Sequence, residues 1–104
     1  MVNKNYRRGY VIEHRYKAMR EKEGFTCFRT AGSHGVVDII CLRSDKGLLT
    51  QLKRSKTPSY SNKEAELSLQ AFQNYDKKYF IKELAIWNDK KGSKPKGWFI
   101  KPID

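Results

Sequence analysis

Asp38, Gln51 and Lys53 are the residues whose types and spacing suggest chemistry. Asp38 interrupts the apolar run Val36-Val37-Asp38-Ile39-Ile40-Cys41-Leu42-Arg43. Gln51 and Lys53 close a second run, Leu48-Leu49-Thr50-Gln51-Leu52-Lys53. An acid, an amide and a lysine on otherwise apolar strands carry a desolvation cost, which suggests a site. Two carboxylates and a third oxygen donor can hold Mg2+, which takes oxygen ligands and keeps several waters. Here Glu13 and Asp38 would be the carboxylates, Gln51 the third donor, and the carbonyl of Leu52 an added backbone oxygen. Lys53 can orient an attacking water or stabilise charge on a phosphoryl oxygen. Metal-assisted phosphodiester hydrolysis is the chemistry this set can perform, with Mg2+ as the expected cofactor and Mn2+ as its substitute.

The elements that must position these groups follow from the sequence pattern. Ser44-Asp45-Lys46-Gly47 is turn chemistry, so the two apolar runs predict a hairpin. With Arg43 facing Leu48, Asp38 lies opposite Lys53 and Ile40 opposite Gln51, and Asp38, Gln51 and Lys53 share one face. Arg7 to Glu23 reads as a helix with the stripe Ile12, Tyr16, Met19 and a stop at Gly24. Met1 to Tyr6 reads as a loose basic arm. Glu13 lies about 100° round from Ile12, at the edge of the stripe. Taken alone, Glu13 reads more simply as a surface pair with Lys17 at i, i+4.

Phe25 to Thr30 alternates as a short strand, and Ala31-Gly32-Ser33-His34-Gly35 follows as a glycine-flanked loop. Such a loop lets a phosphate approach the backbone, with Ser33 as a donor and His34 solvated. Arg54 to Tyr60 is a basic loop. Ser61-Asn62-Lys63-Glu64 fits a capping box, with Ser61 as N-cap, opening a helix to about Lys78. That helix carries two apolar rows, Ala65-Leu69-Phe72 and Leu67-Ala71-Tyr75. One row can face the sheet; the other widens the core-facing stripe or meets a second subunit. Phe80 to Trp87 holds a strand with Leu84 and Ile86 on one face and Ala85 and Trp87 on the other. A lysine-rich loop, Asn88 to Gly97, precedes a last short strand, Trp98-Phe99-Ile100, ended by Pro102. The order is α-β-β-β-α-β-β.

With 104 residues, the chain suits one domain, 1–104, with a single core. Its 22 Lys and Arg against 11 Asp and Glu give +11, spread along the whole sequence. A domain this basic meets nucleic acid more often than anionic membrane or acidic protein. No apolar run approaches the ~20 residues of a membrane span and the N-terminus lacks a signal-peptide core, so no membrane partner and a cytoplasmic location are expected. Cys27 and Cys41 fit no zinc spacing and fall inside predicted strands, which reads as buried free thiols.

Asp38 followed by Gln51-Leu52-Lys53 resembles the PD-(D/E)xK nuclease signature. Gly9-Tyr10-Val11-Ile12-Glu13, Arg29-Thr30-Ala31-Gly32-Ser33 and Lys53-Arg54-Ser55 narrow the resemblance to the archaeal-type Holliday junction resolvases, over most of the chain. The resemblance implies an α/β, restriction-endonuclease-like fold with a central mixed five-stranded sheet flanked by helices. It implies a homodimer that nicks two strands of branched, four-way DNA with Mg2+, with Glu13, Asp38 and Lys53 in the active site and Ser33 on its loop. Leu69 and Phe72 would lie near the dimer contact. Lys4, Arg7, Arg8, Arg29, Arg54, Lys56, Lys90 and Lys91 are the expected DNA contacts. Gln51 departs from the pattern, which has an acid there. Glutamine keeps a carbonyl oxygen but removes a negative charge, so the site is expected to bind Mg2+ more weakly and to be less active or inactive. The alternatives are another nickase or repair endonuclease on the same scaffold, and a non-catalytic DNA-binding module in which Asp38 and Lys53 form a cross-strand pair.

Overall fold

The computed structural model describes residues 4–30, 36–55, 62–73, 75–88 and 97–103, with backbone alone at 4–9 and 55. Helix α1 (Lys4–Lys22) leads into β1 (Thr26–Arg29), β2 (Ile39–Leu42) and β3 (Gly47–Ser55); α2 (Lys63–Ala71) then precedes β4 (Phe80–Asn88) and β5 (Gly97–Ile103). The five strands form one mixed sheet in sequential order. β3 and β4 are parallel, joined through α2, and the other pairs are antiparallel. The expected element order and mixed sheet are observed.

The two faces of the sheet carry different helices because strand side chains alternate. Ile12 and Tyr16 of α1 pack on Phe25, Cys27, Ile39, Cys41, Leu48, Leu52, Ala85 and Trp87. Ala65 and Leu69 of α2 pack on Leu84, Ile86 and Ile103 from the other side. The alternation expected of β4 is thus observed. Helix α1 is also held by polar groups: the Tyr16 hydroxyl meets Thr50 Oγ1 at 2.7 Å and donates to Glu83, and Arg20 Nη2 reaches Glu83 Oε1 at 2.7 Å.

Several boundaries differ from expectation. Helix α1 begins at Lys4, inside the stretch read as a loose arm; Met1–Asn3 lie outside the described residues. Gly24 ends it at φ +94°, as a C′ glycine should. The first apolar run is strand only from Ile39, since Asp38 sits in a bend. The hairpin register is offset by two: Leu42 pairs with Gly47 and Ile39 with Thr50. The turn takes Arg43 to Lys46, where Arg43 N–H bonds the Lys46 carbonyl at 2.9 Å and its guanidinium grips both Asp45 oxygens at 2.5 and 2.8 Å. Gly47 opens β3, where a Cβ would stand 2.5 Å from the Phe80 ring, so a larger residue would force that ring to move. A shift of two leaves every strand side chain on its expected face.

Helix α2 is capped by Asn62, whose Oδ1 accepts from Ala65 N at 3.1 Å, and not by Ser61, which lies outside the described residues. It stops at Ala71 rather than near Lys78. The cause is Lys82, buried on β4, whose ammonium donates to the carbonyls of Leu69 at 2.8 Å, Gln70 at 3.3 Å and Phe72 at 3.5 Å. A cation at the helix C-terminus satisfies carbonyls that would otherwise lack partners. Strand β5 runs through Pro102 instead of ending before it, which an edge strand allows because one side needs no N–H.

Candidate active site

Asp38 stands in the bend before β2 and straddles β3. Its N–H donates to the Thr50 carbonyl at 2.8 Å, and its carboxylate Oδ2 accepts from Leu52 N–H at 2.9 Å. These bonds bring Asp38 beside Gln51. Burial pushes the Asp38 carboxyl above the usual range, the Leu52 bond counteracts this, the Glu13 charge adds to the rise and Lys53 opposes it. Glu13 and Lys53 are therefore both close enough to act on Asp38 electrostatically, although they come from α1 and β3.

Gln51 and Lys53 are two apart on β3 and share a face. Gln51 Oε1 is buried and accepts no hydrogen bond from the described residues, a costly state for an amide oxygen. An oxygen in this condition beside a half-buried carboxylate suits a cation. Among the described residues no three of His, Cys, Asp and Glu gather into a metal-holding group. Gln51 supplies an amide oxygen on the same strand as Lys53. Glu13, Asp38 and Gln51 supply hard oxygens, the donor type that Mg2+ takes.

Glu13 does not pair with Lys17. It forms an ion pair with Arg29 of β1, whose guanidinium also lies 5.3 Å from the centre of the Tyr10 ring. Arg29, an expected DNA contact, thus has a partner within the chain. The signal was present: the alternation that buries Cys27 on the α1 side sends Arg29 to the same side. Without a bound cation, this guanidinium neutralises one of the two carboxylates.

Other expected residues are distributed unevenly. Ser33 and His34 lie outside the described residues, as do Lys56, Lys90 and Lys91 and the side chains of Lys4, Arg7 and Arg8. Arg54 is exposed on β3. Leu69 is fully buried in the protomer core, which removes it from any subunit contact. Phe72 stacks on Tyr75 at 5.8 Å, while Leu67 is a large apolar side chain of α2 turned to solvent, at 55 % exposure.

With this geometry in place, comparison with known proteins is informative. No protein-family model matches the chain. Over 60 residues the chain is 47 % identical to the crossover junction endodeoxyribonuclease Hjc of Methanocaldococcus jannaschii, a match covering 57 % of this chain and 44 % of that protein. The matched stretch thus spans less than half of the relative's length. Among solved structures, Archaeoglobus fulgidus Hjc, a Holliday junction resolvase from an archaeal hyperthermophile, superposes with a TM-score of 0.64. That match covers 88 % of this chain and 72 % of the other at 22 % identity, and it shows the fold. The sequence match is thus to a protein of the kind that the motifs resemble, and the structural match is one of fold.

Proposed function

We propose that the chain is a Mg2+-dependent endonuclease that resolves four-way DNA junctions by paired nicks, working as a homodimer. The observation that carries this reading is the buried amide oxygen of Gln51, without a hydrogen bond from the described residues, beside Asp38. It sits on a fold like that of a solved junction resolvase. Glu13, Asp38 and Gln51 would hold the cation, which when bound would polarise the scissile phosphate and activate a water. Asp38 is held in place by Leu52 N–H, so its carboxylate would need little further ordering to help hold the cation. Lys53, acting on Asp38 from the same face as Gln51, would stabilise charge on the phosphoryl oxygen. Arg29 orients the Glu13 carboxylate, and its cationic group would suit a phosphate brought to the site.

The dimer reading rests on an uncovered surface. Helix α2 packs on β4 and β5, whereas on the same side of the sheet Phe28 of β1 is 51 % exposed and Leu42 of β2 is 42 % exposed. Together with Leu67, they form apolar surface that a second copy would cover. A two-fold dimer presents two sites to a junction of matching symmetry.

Cleavage of a labelled four-way junction in Mg2+ tests the proposal, with Gln51→Glu and Asp38→Ala beside the native chain. Paired nicks are expected from Gln51→Glu at Mg2+ concentrations about 10- to 100-fold lower than the native chain needs. Asp38→Ala is expected to bind the junction without cutting it. An intact junction with both the native chain and Gln51→Glu would overturn the reading. Equal affinity for junction and linear duplex would instead favour a repair endonuclease.

A further inference from the structure

The two cysteines play no part in the proposed site, yet they meet. Cys27 on β1 and Cys41 on β2 are direct partners in the antiparallel ladder, both buried, with their sulfurs 2.8 Å apart. The ladder shows which kind of pair they make. Thr30 N–H bonds the Asp38 carbonyl at 3.1 Å, just beyond the Arg29–Ile39 pair. The bonded positions are therefore Thr30, Phe28 and Thr26, and Cys27 with Cys41 falls on a non-hydrogen-bonded position between them. At such positions Cα atoms approach to about 4.5 Å and side chains lean together, within the ~4.4–6.8 Å window of disulfides. The sulfurs stand less than an ångström beyond a covalent S–S length of about 2.05 Å. Closure needs no change of register.

We propose that Cys27 and Cys41 are a covalent modification site: a dithiol that a small-molecule disulfide, such as oxidised glutathione, converts to a cross-strand bond. The Cys27 thiolate attacks one sulfur of the oxidant, forming a mixed disulfide and expelling a glutathione thiolate. The Cys41 thiolate then attacks the Cys27 sulfur and expels the second, and the two protein protons leave on the two glutathione thiols. Cys27 is the entry point because β1 is the four-residue edge strand, which opens more easily than the centre of the sheet. Burial pushes both thiols up, so exchange is slow while the strands stay paired. The bond would pin the strand that carries Arg29, the partner of Glu13, two residues from Cys27. This inference stands apart from the nuclease reading.

The test equilibrates the full chain with mixtures of reduced and oxidised glutathione, folded in buffer and unfolded in urea. Each sample is then quenched with acid, alkylated and weighed. The folded chain is expected to lose about 2 Da without a glutathione adduct. Its pair should close on the order of 100-fold more readily than in the unfolded chain, since a bond that fits the native state is favoured by it. Hydrogen exchange at Thr26 to Arg29 should slow on oxidation. A folded chain that closes no more readily than the unfolded one would overturn the proposal. So would a stable adduct on Cys27 that leaves Cys41 reduced.

Discussion

Gln51 differs from a glutamate by one nitrogen in place of one oxygen, and this single exchange sets the charge of the site. Glu13 pairs with Arg29 and Asp38 feels the charge of Lys53, so two acids stand against two cations. Asp38 carries the consequence. Its carboxyl is pushed up mainly by burial, so the folded chain keeps the proton to higher pH than the unfolded chain, whose value is near 3.8. Stability therefore falls as pH rises from 3.8 through the raised native value, and above that the penalty is constant. Asp38→Asn, which keeps an acceptor for Leu52 N–H, should be more stable than the native chain in urea at neutral pH. Below pH 3.8 that advantage should vanish. A less stable Asp38→Asn at neutral pH would show that the charge is favourably held in the apo protein. Asp38, Gln51 and Lys53 were legible in the sequence because polar groups interrupt apolar strands. The Glu13–Arg29 pair was legible only in part: alternation along β1 puts Arg29 on the α1 side, but its partner is 16 residues away and has a nearer cation in Lys17.

Between elements, the polar anchor of α1 decides how firmly Glu13 is presented. The Tyr16 hydroxyl reaches Thr50 of β3 and Glu83 of β4, and Arg20 closes the cluster from one turn further on. Tyr16→Phe leaves the ring packing but removes the hydroxyl that donates to buried Glu83. It should cost about 1–3 kcal/mol in urea denaturation while junction affinity stays close to native. No loss of stability would mean that the cluster is dispensable. The Ile12–Tyr16–Met19 stripe revealed α1, and the alternation along β4 revealed which faces are buried. What the sequence hid lies in long-range pairing. Lys82 and Glu83 look like solvated strand residues until their partners from α2 and α1 cover them. The end of α2 depends on that buried lysine, and the hairpin register depends on Phe80 packing against Gly47 from a neighbouring strand.

For the molecule as a whole, the charge of +11 sets the kind of partner and the conditions under which it binds. Affinity for a four-way junction should fall steeply with salt, by roughly 10³–10⁵ between 50 and 200 mM if six to ten phosphates are contacted. It should depend little on base sequence, because backbone contacts position without reading bases. A flat salt response in a fluorescence-anisotropy titration would exclude the basic surface as the binding face. The charge and the order of elements were readable from composition and pattern alone. The meeting of Asp38 with β3, within electrostatic reach of Glu13 from α1, required the folded sheet. Crystals soaked in Mn2+ and measured at the manganese absorption edge would test that meeting most directly. The account predicts one anomalous peak at bonding distance from Asp38 and Gln51 Oε1, with Glu13 turned from Arg29 toward it. No peak there, with the Glu13–Arg29 pair intact at saturating Mn2+, would contradict it.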